Sequence, residues 1–167
     1  YMREFSVLIA PTVNSYKRLC PGAWAPINMT WGIENRTTAF RAIKGDYSSQ
    51  RIENRLPGAD SNPYLALAAT LGAGFLGIKE KIKPTNETIG GAYDLNVEKK
   101  YQVPKNLGEA ANLFKNSEPA KDLFGEDFVN HFANTRIWEY KEFQKNRSFL
   151  ESDAVSPWEL KRYFEII

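Results

Sequence analysis

Arg51-Ile-Glu-Asn-Arg55 runs directly into Leu-Pro-Gly-Ala-Asp-Ser-Asn-Pro-Tyr64. This junction constrains the fold more than any other segment, because a strand pattern gives way within a few residues to a helix start marked by proline. On a strand alternate side chains share a face, so Arg51, Glu53 and Arg55 are expected to project together at roughly 7 Å intervals. Two guanidinium forks with a carboxylate between them suit phosphate or carboxylate oxygens and a divalent cation. The same spacing suits a solvated strand face carrying a cross-strand ion pair, and spacing alone leaves both readings open.

Upstream of the junction the pattern reads as short strands, Phe5 to Ala10, Ile27 to Trp31, Thr37 to Ile43 and Arg51 to Leu56, separated by Pro21-Gly22, Glu34-Asn35 and Lys44-Gly45-Asp46. Short strands joined by turns predict an antiparallel sheet built from the N-terminal third. Downstream, Asp60 or Ser61 is a candidate cap for a helix running to about Ile82. Its small residues, Ala66, Ala68, Ala69, Gly72, Ala73 and Gly74, predict a buried helix pressed against a sheet. Its glycines lack the order and the Lys-Ser/Thr ending of a phosphate loop. Pro84 to Pro104 reads as a long surface loop, Asn106 with Glu109 as the cap of a short helix, Glu126 to Asn146 as an amphipathic helix, and Ser156-Pro-Trp-Glu159 as a capping box opening a last helix to about Phe164. The fold class is therefore α+β, an antiparallel sheet packed by helices, with 1–167 read as a single domain.

The 22 basic and 20 acidic side chains nearly cancel, which argues against a dedicated binder of nucleic acid or anionic membrane, so any anion site must be local. Cys20 is the lone cysteine and His131 the lone histidine, leaving no cluster of zinc-ligand spacing; His131 reads as a packing or interface residue. The longest apolar run, Tyr64 to Ile78, is broken by Gly72, Gly74 and Gly77, and the expected location is cytoplasmic. The opening Tyr1-Met2-Arg3-Glu4 leads without a cap or turn into apolar residues, and reads as a chain starting within a larger architecture.

Three blocks in order, Asn14-Ser-Tyr-Lys-Arg-Leu-Cys-Pro-Gly22, Trp31-Gly-Ile-Glu-Asn-Arg-Thr-Thr-Ala-Phe-Arg41 and Arg51 to Leu65, resemble the C-terminal part of glutamine synthetase catalytic domains. The resemblance is close over about 10–82 and looser to the end, and is nearest to the gamma-glutamylpolyamine synthetase variety. It implies ATP-dependent ligation: the glutamate γ-carboxylate is phosphorylated, and ammonium or an organic amine attacks the acyl phosphate. It further implies Mg²⁺ or Mn²⁺, and ring-shaped homo-oligomers. Carried over by position, Arg18 matches the arginine gripping the glutamate carboxylate and Arg36 the one stabilising the transferring phosphoryl group. Arg41 and Arg51 match arginines near the nucleotide phosphates, Arg55 one near the γ-phosphoryl group and glutamate, and Glu53 a metal ligand.

Three departures qualify the transfer. Trp24, in Pro-Gly-Ala-Trp, stands where the ammonium-using enzymes carry a mobile glutamate. An indole removes that base and offers instead a face for an organic ammonium; a packing role for Trp24 in an altered site is the other reading. One residue fewer separates Arg41 from Arg51, with Ser48 where lysine is usual. Tyr93, in Gly-Ala-Tyr-Asp-Leu, resembles the loop nucleotidylated in some bacterial members, a control not expected here. The family's paired glutamates, histidine and glycine-containing nucleotide loop match nothing in this chain, so it is expected to be a C-terminal fragment inactive on its own. The competing readings are a non-catalytic assembly relative and a free-standing anion-binding module.

Overall fold

The computed structural model describes residues 1–146 and 154–165. The chain opens with a 3-10 turn, Ser6–Leu8, followed by α1 (Val13–Arg18), β1 (Trp31–Ile33), β2 (Phe40–Ile43), β3 (Arg51–Asn54), α2 (Pro63–Lys79), a second 3-10 turn at Lys99–Tyr101, α3 (Leu107–Lys115), α4 (Glu118–Phe124), α5 (Glu126–Asn146) and α6 (Pro157–Tyr163). The α+β class stands. The three strands lie in the order β1-β2-β3. β2 and β3 pair antiparallel, with Arg41 opposite Glu53, whereas β1 and β2 run parallel, with Trp31 opposite Phe40. The parallel pairing departs from the expected all-antiparallel sheet. The loop after Ile33 doubles back along β1 before β2 begins, so that Phe40 N donates to Thr30 O at 3.1 Å and Glu34 N to Ala42 O at 2.9 Å.

Phe5 to Ala10, expected as a strand, instead forms the 3-10 turn and is buried on every side. A short apolar run without periodicity fits a strand and a buried turn equally well, and here tertiary packing decides. Phe5 meets Phe114 and Phe124 edge-on, and the aromatic cluster continues through Phe128 and Phe132. The core therefore lies between this turn and helices α3, α4 and α5, and the sheet sits beside it. The Ile27–Trp31 expectation is displaced: Asn28 forms a single bridge to Gln102, and the regular strand starts at Trp31. α1, with Thr12 and Ser15 closing a full capping box, and α4, capped by Ser117 with Pro at its start, were not anticipated.

α2 is capped by Asn62, whose side chain accepts from Tyr64 N and Leu65 N, and not by Asp60 or Ser61. It is only half buried. Ala66, Ala69, Gly72 and Leu76 face inward, while Tyr64, Leu67, Leu71, Phe75 and Ile78 form an outward apolar stripe. Among the described residues nothing covers that stripe. α5 begins where the periodicity predicts and is helical through Asn146. Ser156 and Glu159 form the reciprocal capping box that opens α6.

Candidate active site

The arginine-bearing elements converge because β2 and β3 pair in register. Arg41 stands opposite Glu53, and its Nη1 lies 3.1 Å from Glu53 Oε2. Arg55, just past the end of β3, places Nη1 2.8 Å from Glu53 Oε1. Glu53 thus joins two guanidinium groups, one on each oxygen, so the ion-pair reading of this strand face is realised within the cluster. Burial alone would push the Glu53 carboxyl up, but these two hydrogen-bonded cations outweigh it and hold the group below the usual carboxylate range. Arg41 also donates Nε to Glu34 Oε2 at 3.0 Å and contacts the same oxygen through Nη2, and this pairing lowers the Glu34 pKa.

Arg55 is the most heavily committed cation. Besides Glu53, it donates Nε to the Arg36 carbonyl at 3.1 Å and Nη2 to the Trp24 carbonyl at 2.9 Å. Three separate segments are tied to one guanidinium. Arg36, by contrast, projects an exposed side chain that meets no carboxylate and makes no side-chain hydrogen bond among the described residues. A cleft of about 370 Å³ is lined by Trp24, Arg36, Arg41, Glu53 and Arg55. Five of the seven sequence-predicted site residues therefore share one wall.

A second cleft of about 570 Å³ adjoins it and shares Trp24 and Arg36; its far wall is Glu87, Thr88, Ile89 and Gly90. Trp24 is 70% exposed and adopts φ of 53°, in the left-handed region that a bulky residue rarely occupies. Glu34, on the same cleft, has φ of 51°. Strained backbone at two residues of one cleft is the kind of feature that surrounding contacts must enforce, and the Arg55 hydrogen bond to the Trp24 carbonyl is one such contact.

Arg18 and Arg51 lie apart from this wall. Arg51 is exposed and donates Nη1 to Ser49 O at 2.9 Å. Arg18 ends α1, contacts the Leu56 carbonyl through Nη2, and lines a different pocket with Thr12, Ser15, Gly58 and Asp60. Burial lowers the Arg18 pKa, Asp60 opposes that shift, and the Arg55 charge adds to it.

Whether the chain could hold a resident divalent cation is decided by its donor set. Both Glu53 oxygens face guanidinium groups, and among the described residues there is no group of three His, Cys, Asp or Glu side chains able to hold a metal. Such ions want about six oxygens. The residues present do not fit a cation by themselves; the cleft wall carries three guanidinium groups and one carboxylate.

Sequence reasoning treated Glu34-Asn35 as turn punctuation and missed what Asn35 and Thr37 do. The Asn35 side chain accepts from Thr37 N and Oγ1 and donates to the Thr88 and Gly90 carbonyls. The legible signal was Asn followed two residues later by Thr, which is an Asx-turn pattern. Asp60 was weighed only as a helix cap, yet its Oδ2 accepts from Thr12 Oγ1 at 2.6 Å and Ser15 Oγ at 2.5 Å, bracing α1 and hence Arg18. His131 is exposed on α5 and so does not pack in the core. The Tyr93 hydroxyl is buried.

Comparison with known proteins gives a consistent result. The family described as glutamine synthetase, catalytic domain, matches residues 1–163. The chain is 44% identical to a glutamate–isopropylamine ligase from Pseudomonas sp over 165 residues, covering 99% of this chain and 34% of that protein. It is also 44% identical to type-1 glutamine synthetase 2 from Dictyostelium discoideum, covering 98% of this chain and 30% of the relative. For the gamma-glutamylethanolamide synthetase from Streptomyces coelicolor the identity is again 44%, over 98% of this chain and 33% of the relative. A solved structure titled "Apo GmaS without ligand" superposes with a TM-score of 0.73 at 29% identity, over 98% of this chain and 35% of that one. The chain spans about a third of the length of these relatives.

Proposed function

The chain belongs to the glutamine synthetase catalytic-domain family, and on that premise we propose that it is the C-terminal portion of the catalytic domain of an ATP-dependent ligase joining the γ-carboxylate of glutamate to an amine or ammonium. The observation that carries this reading is the convergence of Arg36, Arg41, Arg55, Glu53 and Trp24 on one cleft. Phosphoryl transfer spreads negative charge over non-bridging oxygens, and fixed cations that need no reorganisation stabilise it best. Glu53 and Glu34 hold Arg41 and Arg55 in place, so their field is set before substrate arrives. Arg36, with no side-chain partner among the described residues, is the guanidinium available to meet the transferring group. Arg51 is assigned to the nucleotide phosphates and Arg18 to the glutamate carboxylate, whose planar geometry suits a bidentate fork.

Family members use ATP with a divalent metal. In this reading an Mg²⁺ or Mn²⁺ ion would be held by ligands outside these residues, with Glu53 joining them only by giving up one of its guanidinium partners, and would supply charge neutralisation when bound. The acceptor is an organic amine, in line with the names of two relatives, a glutamate–isopropylamine ligase and a gamma-glutamylethanolamide synthetase. The Trp24 indole face offers the ammonium a cation–π contact worth roughly 0.5–2 kcal/mol. The complete protein acts as a homo-oligomer in the cytoplasm. No helix among the described residues is long and apolar enough to cross a membrane.

The test is to express the complete open reading frame and assay ADP release with ATP, glutamate, Mg²⁺ or Mn²⁺, and a panel running from ammonium through alkylamines and hydroxyalkylamines to diamines. Glutamate-dependent turnover that favours an organic amine supports the reading. Equal turnover with ammonium and every amine removes the acceptor assignment, and no glutamate-dependent turnover with any of them removes the ligase itself.

A further inference from the structure

The structure assigns to Asn35 the role of positioning residue for Arg36, an inference that rests on reading Arg36 as the guanidinium that meets the transferring phosphoryl group. Arg36 sits in the loop between Ile33 and Phe40, outside any strand, and its side chain has no protein partner among the described residues. A long, unpaired side chain retains much of its rotamer freedom, up to about 2 kcal/mol in free-energy terms. Its aim therefore depends on how firmly its own backbone is held.

Two anchors hold it. On one side, Arg55 Nε donates to the Arg36 carbonyl. On the other, Asn35 uses all four hydrogen bonds available to a primary amide side chain. Oδ1 accepts from Thr37 N at 3.0 Å and Thr37 Oγ1 at 2.7 Å, and Nδ2 donates to Thr88 O at 3.0 Å and Gly90 O at 2.8 Å. Thr37 Oγ1 in turn accepts from Ala92 N at 2.9 Å. The segment 88–92 is itself fastened to β1, through Thr88 N to Trp31 O at 2.9 Å. Gly32 makes the approach possible, since a Cβ there would lie 2.8 Å from Thr88 O and 2.9 Å from Asn35 Cβ. Asn35 thus welds the arginine loop to the wall of the adjoining cleft while its own amide is consumed by protein contacts. That separates a positioning role from a catalytic one.

The test uses the complete protein with ATP, glutamate and whichever amine of the panel turns over best. Asn35→Asp keeps the shape and Oδ1 but sets a carboxylate oxygen against two carbonyls. Misplacement of a reacting group by about 1 Å can cost about 100-fold. The expected result is a fall in kcat of about 10- to 100-fold, with KM for ATP and glutamate changed less than about threefold. In an Arg36→Lys background the same substitution should cost less than about threefold, because residues that act as a unit are non-additive. Thr37→Val should lower kcat in the same direction by a smaller factor and Thr37→Ser should match the parent, which keeps the test decisive should Asn35→Asp fail to fold. The proposal is overturned if Asn35→Asp costs as much with Lys at position 36 as with Arg, or if Asn35→Asp or Thr37→Val leaves kcat unchanged while Arg36→Lys lowers it. If Arg36→Lys leaves kcat unchanged, the phosphoryl assignment of Arg36 fails and the positioning role falls with it.

Discussion

Arg55 donates Nη2 to the carbonyl of Trp24 across 31 positions of sequence, at 2.9 Å. The bond connects the cation cluster to a bulky aromatic residue with a left-handed backbone, and ties the Trp24 backbone to the same guanidinium that holds Glu53 and the Arg36 carbonyl. Arg55→Lys preserves the charge but not the three-way fork, since an ammonium on a flexible stem cannot reach three acceptors on separate segments. Hydrogen bonds to charged groups contribute about 1.5–3 kcal/mol each. Local opening at residues 22–25 and 35–38 should therefore become at least about tenfold more frequent. Hydrogen exchange by mass spectrometry on the complete protein checks this. Unchanged protection at both segments would show that the fork does not hold them.

Trp24 should govern the acceptor and not the donor. In the complete enzyme, Trp24→Ala removes the indole face from both clefts and is expected to raise KM for an alkylamine about 2- to 30-fold, the range of a cation–π contact, with KM for glutamate nearly constant. Steady-state kinetics with varied amine and varied glutamate separate the two. A loss shared equally between amine and glutamate would instead mark Trp24 as a packing residue of the turn.

What could be read from the residues follows a physical division. Local signals were legible: Asn106 and Ser156 cap the helices expected of them, α5 spans Glu126–Asn146, and Glu53 and Arg55 share the cleft face that strand alternation requires. Non-local facts were not. Phe5 to Ala10 is buried against α2 and α3, with Phe124 of α4 on the Phe5 ring, a fact about its neighbours that five apolar letters and a serine do not carry. The parallel pairing of β1 with β2 depends on a loop held by Asn35 and Thr37 to residues more than 50 positions away. The departure of Arg51 from the arginine wall has the same origin. Alternation puts it on the Glu53 face, but at the last pair of the β2–β3 register, opposite Ile43, its side chain turns to the Ser49 carbonyl.

Acid should release α6 before the rest of the fold. Glu139 is buried and receives Arg162 Nε at 2.9 Å, Arg162 Nη2 at 2.8 Å and the Tyr163 hydroxyl at 2.9 Å. Glu159, also buried, receives Lys17 Nζ and Ser156 N. Burial raises both carboxyl pKa values, but the paired cations and donors outweigh it, so both lie below the ordinary value of 4.5. A depressed folded-state pKa contributes stability that is present above the ordinary carboxylate value and is lost as pH falls through the lower, folded one. Protection of α6 amides in the complete protein should therefore be constant from neutrality to about pH 5 and decline below about pH 4. Glu139→Gln should weaken α6 docking at pH 7 by about 1–3 kcal/mol, less than a fully buried pair would, because the Arg162 side chain is 41% exposed. An α6 that loses protection only together with α5 at every pH would refute this carboxylate-dependent docking of α6.

Two helical glycines should respond to alanine with opposite signs. Alanine is favoured over glycine in a helix interior by about 1 kcal/mol, so open space around the new methyl group decides the outcome. At Gly74 in α2 a Cβ meets nothing within 4 Å, and Gly74→Ala should stabilise by about 0.5–1 kcal/mol. At Gly108 in α3 the same Cβ would lie 2.4 Å from Tyr140 Cδ1 and 2.7 Å from Cε1. The Tyr140 ring packs against the core and against Phe143 at 6.4 Å, so it cannot simply swing away. Overpacking of this kind costs typically 1–3 kcal/mol, which exceeds the propensity gain. Gly108→Ala should therefore be net destabilising by up to about 2 kcal/mol and should loosen the α3–α5 contact on which the aromatic core rests. Denaturant midpoints of the two variants in the complete protein check the pair, and a Gly108→Ala midpoint at or above that of the parent would mean that α3 and α5 have room to part.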